Sequence, residues 1–538
     1  MILMKRVPTT LAVALCACAL LAGQDHDHSS PIPKLGAISF PVSCSKPAQN
    51  RIEHGLALLH SFLFDDAEAE FQAATTEDST CAMAFWAEAI GLYRPLAYRP
   101  GDADVKRGWE LIQQAQALDA KTPRERGYIN AAATFYRADV PNHGRDYDTR
   151  NHEYSATLEK LYKAYPNDPE AAVFYALSLL TFADSQDPVV DSEKAIAILT
   201  PIFRDNPNHP GVAHYLIHAA DSPQLAPKGL EAARRYAQIA TAAPHALHMP
   251  SHIFARLGLW QEDIQSNLAS LDATRHSSIV HVGAEHQLHA MEFLEYAYLQ
   301  TGEDAKAEQL VKEQAEIGYE HVDKNLIDYV NQNRANSPAM FYLETRNWPA
   351  AAALNPDPKV EPYNQAITYW ARAVAAGHLR NLGAAQQAVQ QYDALLEATR
   401  QDPRPSIARR MSTKHDEAHA WLAFVQGKDD EALGLLRALA AKQDLEGKGE
   451  VELPAHEMLA DMLLEMRRTP EALAEFEKSL QVDPNRFNGL YGAGKAAESL
   501  SHNDEARGYY AQLIKNCAAA PSQRTELTSV RASPVMNH

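Results

Sequence analysis

The feature that most constrains this chain is a 34-residue period of paired helical segments. In the clearest copy, Ala472, Phe476 and Leu480 recur every four residues, which is the spacing of one helix face. The next copy carries Ala506, 34 positions after Ala472. One helix pair cannot bury its apolar face alone, so consecutive pairs must stack. We therefore predict an all-α fold, an α-solenoid of antiparallel helix pairs, with Ala472 and Ala506 buried at helix crossings.

The remaining copies show the same pattern less regularly. Second helices of this type are indicated by Ala67, Phe71 and Ala74, and by Ala195, Leu199 and Ile202. Glycines between apolar segments mark turns within helix pairs, namely Gly258, Gly302 and Gly427. Strand patterns are essentially absent, which supports a purely helical fold.

The N-terminus indicates export. Lys5 and Arg6 precede an apolar run over residues 11–22, and polar residues follow, which is the pattern of a secretory signal peptide. The run is too short for a membrane anchor, and no other stretch approaches the length of a membrane span. A lipoprotein acylated at Cys18 is the disfavoured alternative, because it leaves a short apolar region. We expect a periplasmic or secreted protein without a membrane span.

Charge and cysteine content restrict the partners and the source of stability. The formal net charge of −19 argues against nucleic acid as a partner. Two of the five cysteines lie in the predicted signal peptide, which leaves Cys44, Cys81 and Cys517. Cys44 precedes the first helix pair and Cys81 follows it, so an antiparallel hairpin would bring them together. We predict a disulfide between them, against the alternative of two buried thiols.

Three parts of the chain carry a family resemblance. They are HGLALLHSFLFDDAEAEF with CAMAFWAEA, the central APHALHMPSHIFARLGLW, and LPAHEMLADMLLE with PNRFNGLYGAGKAAE. Through them, the chain from about Cys44 to Cys517 resembles exported bacterial tetratricopeptide repeat (TPR) proteins that have no assigned activity. The resemblance implies export and a superhelical stack, and it implies little about chemistry.

The sequence predicts six segments. They are a signal peptide over 1–23, a flexible segment over 24–42, a helical repeat array with a central histidine-rich groove over 43–353, a joint over 354–362, C-terminal tetratricopeptide repeats over 363–517 and a disordered tail over 518–538.

The most unusual residues are histidines at equivalent places of successive repeats. Pro210 and Pro244 each open a first helix, and places five and nine counted from either proline are histidine. These four residues are His214, His218, His248 and His252. The family resemblance implies that places two, five, nine and twelve line a concave groove. The further groove residues are then Asp221, His245, His289, Glu292 and Tyr296.

Two interpretations of the groove stay open. In the first, hydrogen-bonding groups hold a peptide or protein segment, so that the protein is an exported interaction scaffold. In the second, His214, His218, His248 and His252 bind one divalent transition metal ion, Zn or Cu, because histidines four residues apart share a helix face. We predict the scaffold and keep metal binding as the alternative.

Sequence motifs for catalysis are missing. There is no Gly-rich phosphate loop, no G-x-S-x-G, no HExxH and no C-x-x-C in the mature chain. We interpret His415 and His419 as packing or surface residues. The acidic and histidine tract over 25–28 resembles a short metal-capturing tract that could deliver an ion to the groove, and an ordinary polar tail is the favoured interpretation. No catalytic residue is assigned, and a binding protein is favoured over an enzyme.

Overall fold

The computed structural model describes residues 34–96, 99–138, 145–182, 188–276, 284–319, 322, 326–400, 405–520 and 524–537. The predicted signal peptide (1–23), the tract over 25–28 and the rest of the flexible segment before residue 34 lie outside the described residues. Residues from Lys34 onward belong to one unit.

The described residues form helices and no strand, and consecutive helices pack as antiparallel pairs, which confirms the predicted α-solenoid. The helices are α1 (Lys46–Leu59), α2 (Phe64–Glu77), α3 (Ala82–Gly91), α4 (Asp102–Ala117), α5 (Pro123–Tyr136), α6 (Arg145–Ala164), α7 (Pro169–Leu179), α8 (Pro188–Asp205), α9 (Pro210–Ala220), α10 (Ala226–Ile239), α11 (Pro244–His248), α12 (Pro250–Arg256), α13 (Trp260–His276), α14 (Ala284–Gln300), α15 (Asp304–Glu316), α16 (Ile327–Glu344), α17 (Trp348–Ala352), α18 (Pro362–His378), α19 (Leu382–Ala398), α20 (Pro405–Val425), α21 (Asp429–Glu446), α22 (Ala455–Glu465), α23 (Thr469–Val482), α24 (Phe487–Ser499), α25 (Asn503–Asn516) and α26 (Thr525–Ala532). A 3-10 helix over Pro534–Asn537 follows α26.

Small residues bring the paired helices into contact. Ala472 and Ala506 are fully buried, as the 34-residue period predicts. At Gly494, a Cβ atom would lie 2.3 Å from the ring of Tyr510 on the paired helix, so only glycine fits this crossing. The repeat pattern therefore located the helix contacts correctly at the level of single residues.

The turns within helix pairs use left-handed backbone. Gly258, Gly302 and Gly427 have φ values of 63°, 71° and 73°, which glycine adopts without steric conflict. Phe62 adopts φ 58° at the turn between α1 and α2, although it is not glycine. This turn lies beside the histidine cluster described below.

The first helix that the sequence predicts after Pro244 is divided into α11 and α12. The division falls at Met249, directly before Pro250. Proline has no N–H to donate to the preceding turn, which explains the interruption. His248 consequently ends α11, whereas His252 lies within α12.

The chain before α1 differs from the flexible segment that the sequence predicts. Within the described residues 34–42, Phe40 is fully buried, with its ring 5.4 Å from Trp86 and 5.1 Å from Tyr128. The Ala37 amide donates a hydrogen bond of 3.1 Å to the Asn208 carbonyl. Burial of the aromatic ring fixes a segment whose polar composition had suggested mobility.

The C-terminal end also differs from its prediction. The tail over 518–538 contains α26, in which Leu527 and Val530 are buried. Arg524 precedes this helix and its Nη2 donates to Asp304 over 2.6 Å. The apolar spacing of Leu527 and Val530 within a polar segment was too short to indicate a helix.

The late repeats fold back onto the central ones. Trp260 Nε1 donates to the Asn485 carbonyl over 2.8 Å, and the neighbouring Arg486 is fully buried between carboxylates of other repeats. A simple solenoid has contacts between neighbouring repeats only. The array is therefore held by long-range polar contacts that the repeat pattern did not predict.

Cys44 and Cys81 form a disulfide in the structure, with Cα atoms 5.1 Å apart, and Cys517 is buried as a free thiol. Separately, none of the described helices combines the length and the apolar character needed to cross a membrane.

Candidate metal centre

Three imidazoles converge between α9 and α11, and we call them the first histidine triad (His214, His218 and His245). His214 Nε2 lies 3.1 Å from His245 Nε2 and 3.1 Å from His218 Nε2. Nitrogen ligands of a tetrahedral zinc ion, at about 2.0–2.1 Å from the metal, are about 3.3–3.4 Å apart. Two of the three nitrogen pairs are thus close to this spacing, and one nitrogen from each of the three rings lies within 4.8 Å of the others.

Residues outside the first triad fix the orientation of its rings. His214 Nδ1 donates to the main-chain carbonyl of His60 over 2.7 Å, so its Nε2 carries the lone pair that faces the other two rings. Phe62 packs against all three rings, with centroid distances of 4.4 Å to His214 and 5.0 Å to His245. The left-handed turn at Phe62 therefore closes one side of the triad with an apolar ring.

A second group lies one repeat further along, and we call it the second histidine triad (His248, His252 and His289). One nitrogen from each ring lies within 4.8 Å of the others. His248 Nε2 is 3.1 Å from His252 Nε2. Phe293 packs against the three rings, with its centroid 4.6 Å from that of His252. This group repeats the arrangement of the first triad.

The outward nitrogens of the second triad are also hydrogen-bonded. His248 Nδ1 donates to Asn267 Oδ1 over 2.6 Å, and His289 Nδ1 lies 2.9 Å from the Tyr329 hydroxyl. His252 Nδ1 donates to Asp221 Oδ2 and Glu450 Oε1, each at 3.0 Å. Hydrogen bonds of this kind fix the tautomer of metal-binding histidines and leave Nε2 for the ion.

The two triads are equivalent in the repeat. Each consists of places five and nine of one repeat and place two of the next, because His245 and His289 are both at place two. The structure thus divides the predicted four-histidine ligand set into two sites. The ring centroids of His218 and His252 are 6.4 Å apart, because they lie on helices of successive repeats. The prediction of one shared ion at these four residues is corrected to two triads.

Burial controls the protonation of these rings. Burial lowers the pKa of His214 to about 3, and it lowers the pKa of His218, His245 and His248 well below the usual value. At neutral pH these four imidazoles are therefore uncharged. Burial alone would also lower the pKa of His252, but its hydrogen bonds with Asp221 and Glu450 raise it to about 10. In the metal-free protein this ring therefore carries a proton on Nε2, which a metal ion would have to displace.

A loop from the C-terminal half completes the second triad. Glu450 lies between α21 and α22 and reaches His252 across 198 positions of sequence. Arg256 holds this loop, since its Nη1 donates to the Lys448 carbonyl over 2.8 Å, and its Nε donates to Asp221 over 3.0 Å. Sequence reasoning missed Glu450 because no repeat spacing relates it to the histidines.

The other predicted groove residues lie in different surroundings. Glu292 is half-buried beside the second triad, with Oε2 3.9 Å from His289 Nδ1. Tyr296 lies outside the cluster, because its hydroxyl contacts the buried guanidinium of Arg486 and its ring packs against Trp260. We therefore correct its assignment from groove residue to core residue.

The predicted groove is not an open surface at the histidines. His214, His245, His248 and His252 are 0%, 9%, 2% and 8% exposed. A peptide lying on the surface could not form hydrogen bonds with rings that are buried to this extent. These four side chains therefore do not form the surface of an open groove.

Two further groups combine histidines and a carboxylate. His60 and His209 both contact Glu170, and His60 uses its second nitrogen on the Tyr215 hydroxyl, so this group has the contacts of a buried ion-pair network. His415 and His419 are half-buried beside Asp393, with His419 Nε2 3.0 Å from Asp393 Oδ1. These two positions agree with their interpretation as packing or surface residues.

Comparison with known proteins gives a limited result. No protein-family model matches the sequence. No curated protein matches it either. Human IFIT1, solved as a dimer with PPP-AAAA, is 12% identical over 88% of this chain and 91% of that chain, with a TM-score of 0.36. A tetratricopeptide repeat protein from Parabacteroides merdae is 16% identical over 54% of this chain and 99% of that one, with a TM-score of 0.27. The TPR domain of P58(IPK) is 12% identical over 90% and 97%, with a TM-score of 0.20. At these TM-scores, the similarity supports no conclusion about function.

Proposed function

We propose that this helical-repeat protein binds two transition metal ions, one in each histidine triad. The observation that supports the proposal best is the approach of His214 Nε2 to two other imidazole nitrogens at 3.1 Å. Lone pairs of neutral imidazoles repel at this distance unless a proton or a metal ion lies between them. A metal ion would satisfy all three nitrogens at once, whereas one shared proton satisfies two.

The ligand chemistry indicates the class of ion. Each triad offers imidazole nitrogens and no thiolate, which suits Zn or Cu better than Mg or Ca. The outward nitrogens of His214, His248 and His252 donate to oxygen atoms, and hydrogen bonds of this kind keep a histidine oriented for a metal. Three ligands per ion leave a further position for water or another small ligand. We assign no catalytic role to it.

Metal content distinguishes the two triads. Protein purified without a histidine tag, stripped with a chelator and titrated with Zn²⁺ should bind two equivalents by calorimetry and by elemental analysis. His218→Ala should remove one equivalent and His252→Ala the other, because each substitution deletes one ligand of a different triad. The double variant should retain none. His502→Ala is a matched control, since His502 is exposed and pairs with Glu505, away from both triads in sequence.

The proposal fails if the unsubstituted protein binds no stoichiometric Zn²⁺ or Cu²⁺. It also fails if both substitutions leave the stoichiometry at two. Loss of both ions in each single variant would show one coupled site in place of two. Circular dichroism of each variant checks that the helices are retained.

The interaction scaffold remains a second proposal for other surfaces of the array. It no longer involves His214, His245, His248 and His252, because these rings are buried. The expectation that nucleic acid is not a partner also remains a prediction. It rests on the net charge of −19.

We further propose that the protein is exported to the periplasm or secreted. The basic and apolar pattern of residues 1–23 supports this proposal. N-terminal sequencing of protein recovered from outside the cytoplasm should find a new terminus near Gly23. An uncleaved chain in the cytoplasm would contradict it.

A further inference from the structure

Two adjoining cavities lie beside the loop between α21 and α22. The larger has a volume of about 300 Å³ and the smaller about 110 Å³. Lys414, Gly449 and Glu452 line both, so we treat them as one joint cavity. Its size falls in the range of about 300–1,000 Å³ that is typical of small-molecule sites. None of the helices that enclose the joint cavity carries His214, His218, His248 or His252.

The two ends of the joint cavity differ in chemistry. The wall of the smaller part is mainly apolar and includes Met340, Ile367, Tyr392, Met411 and Val451. The Tyr392 hydroxyl donates to the Met411 carbonyl over 2.7 Å, so it is already hydrogen-bonded. The larger part is polar and includes Lys414, Lys442 and Lys448. A ligand that fits both parts needs an apolar body and a polar end.

Lys414 is the cation at the junction of the two parts. Its ammonium lies 4.0 Å from the ring centroid of Trp370, and no ion pair joins it to a carboxylate in the described part of the chain. Lys448 differs, because its Nζ pairs with Asp483 at 2.9 Å. Lys442 also has a partner. An anion entering the joint cavity would therefore find its charge partner at Lys414.

Three acidic residues line the joint cavity, Glu292, Glu417 and Glu452, and all are hydrogen-bonded within the protein. Glu292 accepts from the Tyr329 hydroxyl and from Asn336 Nδ2, each at 3.4 Å. Glu417 accepts a hydrogen bond of 2.5 Å from Trp370 Nε1, and Glu452 accepts one of 2.9 Å from the Gly449 amide. Burial raises the pKa of Glu417 to about 7, so its negative charge is only partial near neutral pH. Glu417 also interacts electrostatically with Lys414, but no carboxylate of the described residues lies within ion-pair distance of the Lys414 ammonium, which leaves it available to a ligand.

We propose that the joint cavity binds a carboxylate ligand with an apolar body. The carboxylate pairs with Lys414 Nζ, and the apolar body enters the smaller part between Met340, Ile367 and Met411. None of the contacts proposed for the ligand involves a histidine of either triad, although Glu292 lies between the smaller part and His289.

Binding of octanoate to the full chain tests the proposal. In chelator-treated protein, calorimetry should detect octanoate binding, and octanol or octylamine should bind at least tenfold more weakly because they lack the anionic group. Lys414→Met keeps the aliphatic stem and removes the charge, so octanoate affinity should fall at least tenfold. Lys428→Met, at an exposed turn where Lys428 pairs with Glu431, should leave it unchanged.

A second variant addresses the apolar part and keeps the test valid if Lys414→Met folds poorly. Val451 lies in the loop that lines the smaller part, so Val451→Phe should fill that space and weaken octanoate binding at least tenfold. The proposal is overturned if octanoate does not bind, if octanol binds equally well, or if Lys414→Met and Val451→Phe both bind octanoate as the unsubstituted chain does. These binding measurements do not test the metal sites, because they are made on metal-free protein.

Discussion

Glu295 is a buried carboxyl group whose charge opposes folding. It lies on α14 and accepts hydrogen bonds from Ser337 at 2.5 Å and Gln314 at 2.8 Å, while its Oε1 has no partner. Burial raises its pKa from 4.5 to about 8. The folded chain therefore holds a proton between about pH 4.5 and pH 8 that the unfolded chain releases, and the free energy of unfolding falls as pH rises through this window.

Glu295→Gln should remove this pH dependence, because the amide resembles the protonated acid. At pH 7 the gain in the free energy of unfolding should be on the order of 2–4 kcal/mol. Urea denaturation at pH 5, 6, 7 and 8 measures it. Glu308→Gln, at an exposed position of α15, serves as the control and should give a curve parallel to that of the unsubstituted protein. Parallel curves for Glu295→Gln as well would contradict the prediction.

At the scale of residues, the sequence predicted the triads only in part. The 34-residue period placed five of the six triad histidines on the groove-facing side of their helices, and the following repeat placed His289 there as well. It could do so because periodicity shows which residues share a helix face. It did not show how rings of successive repeats combine. The hydrogen-bond partners Asn267 and Glu450 were missed, since they lie on other elements and only tertiary packing brings them to the histidines.

Contacts at the start of α24 connect the late repeats to the central ones. Arg486 precedes this helix, and its guanidinium donates to Glu344 on α16 and to Glu457 on α22, each at 2.8 Å. It also contacts the Tyr296 hydroxyl on α14. All these groups are buried, so removing the cation would leave two carboxylates without a charge partner.

Arg486→Met should therefore lower the free energy of unfolding by about 3–5 kcal/mol. Arg486→Lys should recover only part of this loss, because an ammonium cannot make the paired contacts of a guanidinium. Thermal denaturation gives the size of the effect, and hydrogen exchange should show it in α16, α22 and α24 together. Arg468→Met, at the exposed start of α23, should leave stability nearly unchanged, because a solvent-exposed ion pair contributes little. Equal effects of the two methionine variants would refute this role of Arg486.

At the scale of elements, period and spacing predicted the helix pairs well. The sequence located Ala472, Ala506 and the glycine turns correctly, because the two helices of each repeat pack against each other and against the next repeat in the same way. The contacts that depart from this rule were not predictable. The extended segment with Phe40, the short α26 and the pairing of Arg486 depend on surfaces formed by distant repeats, which a local pattern does not contain.

The described part of the molecule contains two large clusters of buried apolar side chains, and they meet within α12. One cluster runs from Leu35 to Phe254 and the other from Ala255 to Val535. The first triad lies entirely on the side of the first cluster. The second triad joins the two, because His248 and His252 precede the boundary and His289 follows it on α14. A metal ion in the second triad would therefore connect both parts of the array.

Metal binding should then change how the molecule unfolds. An ion at 100 times its dissociation constant adds about 2.7 kcal/mol to the free energy of unfolding, provided that it binds the folded state alone. We expect calorimetric scans of the Zn²⁺-loaded protein to show one sharper transition at higher temperature than scans of the metal-free protein. With His289→Gln the loaded protein should lose this sharpening but keep protection of α9 in hydrogen exchange, because the first triad is intact. His245→Gln should do the reverse, losing that protection while the transition stays sharp. If Zn²⁺ shifts neither the temperature nor the width of the transition, the ion does not connect the two clusters.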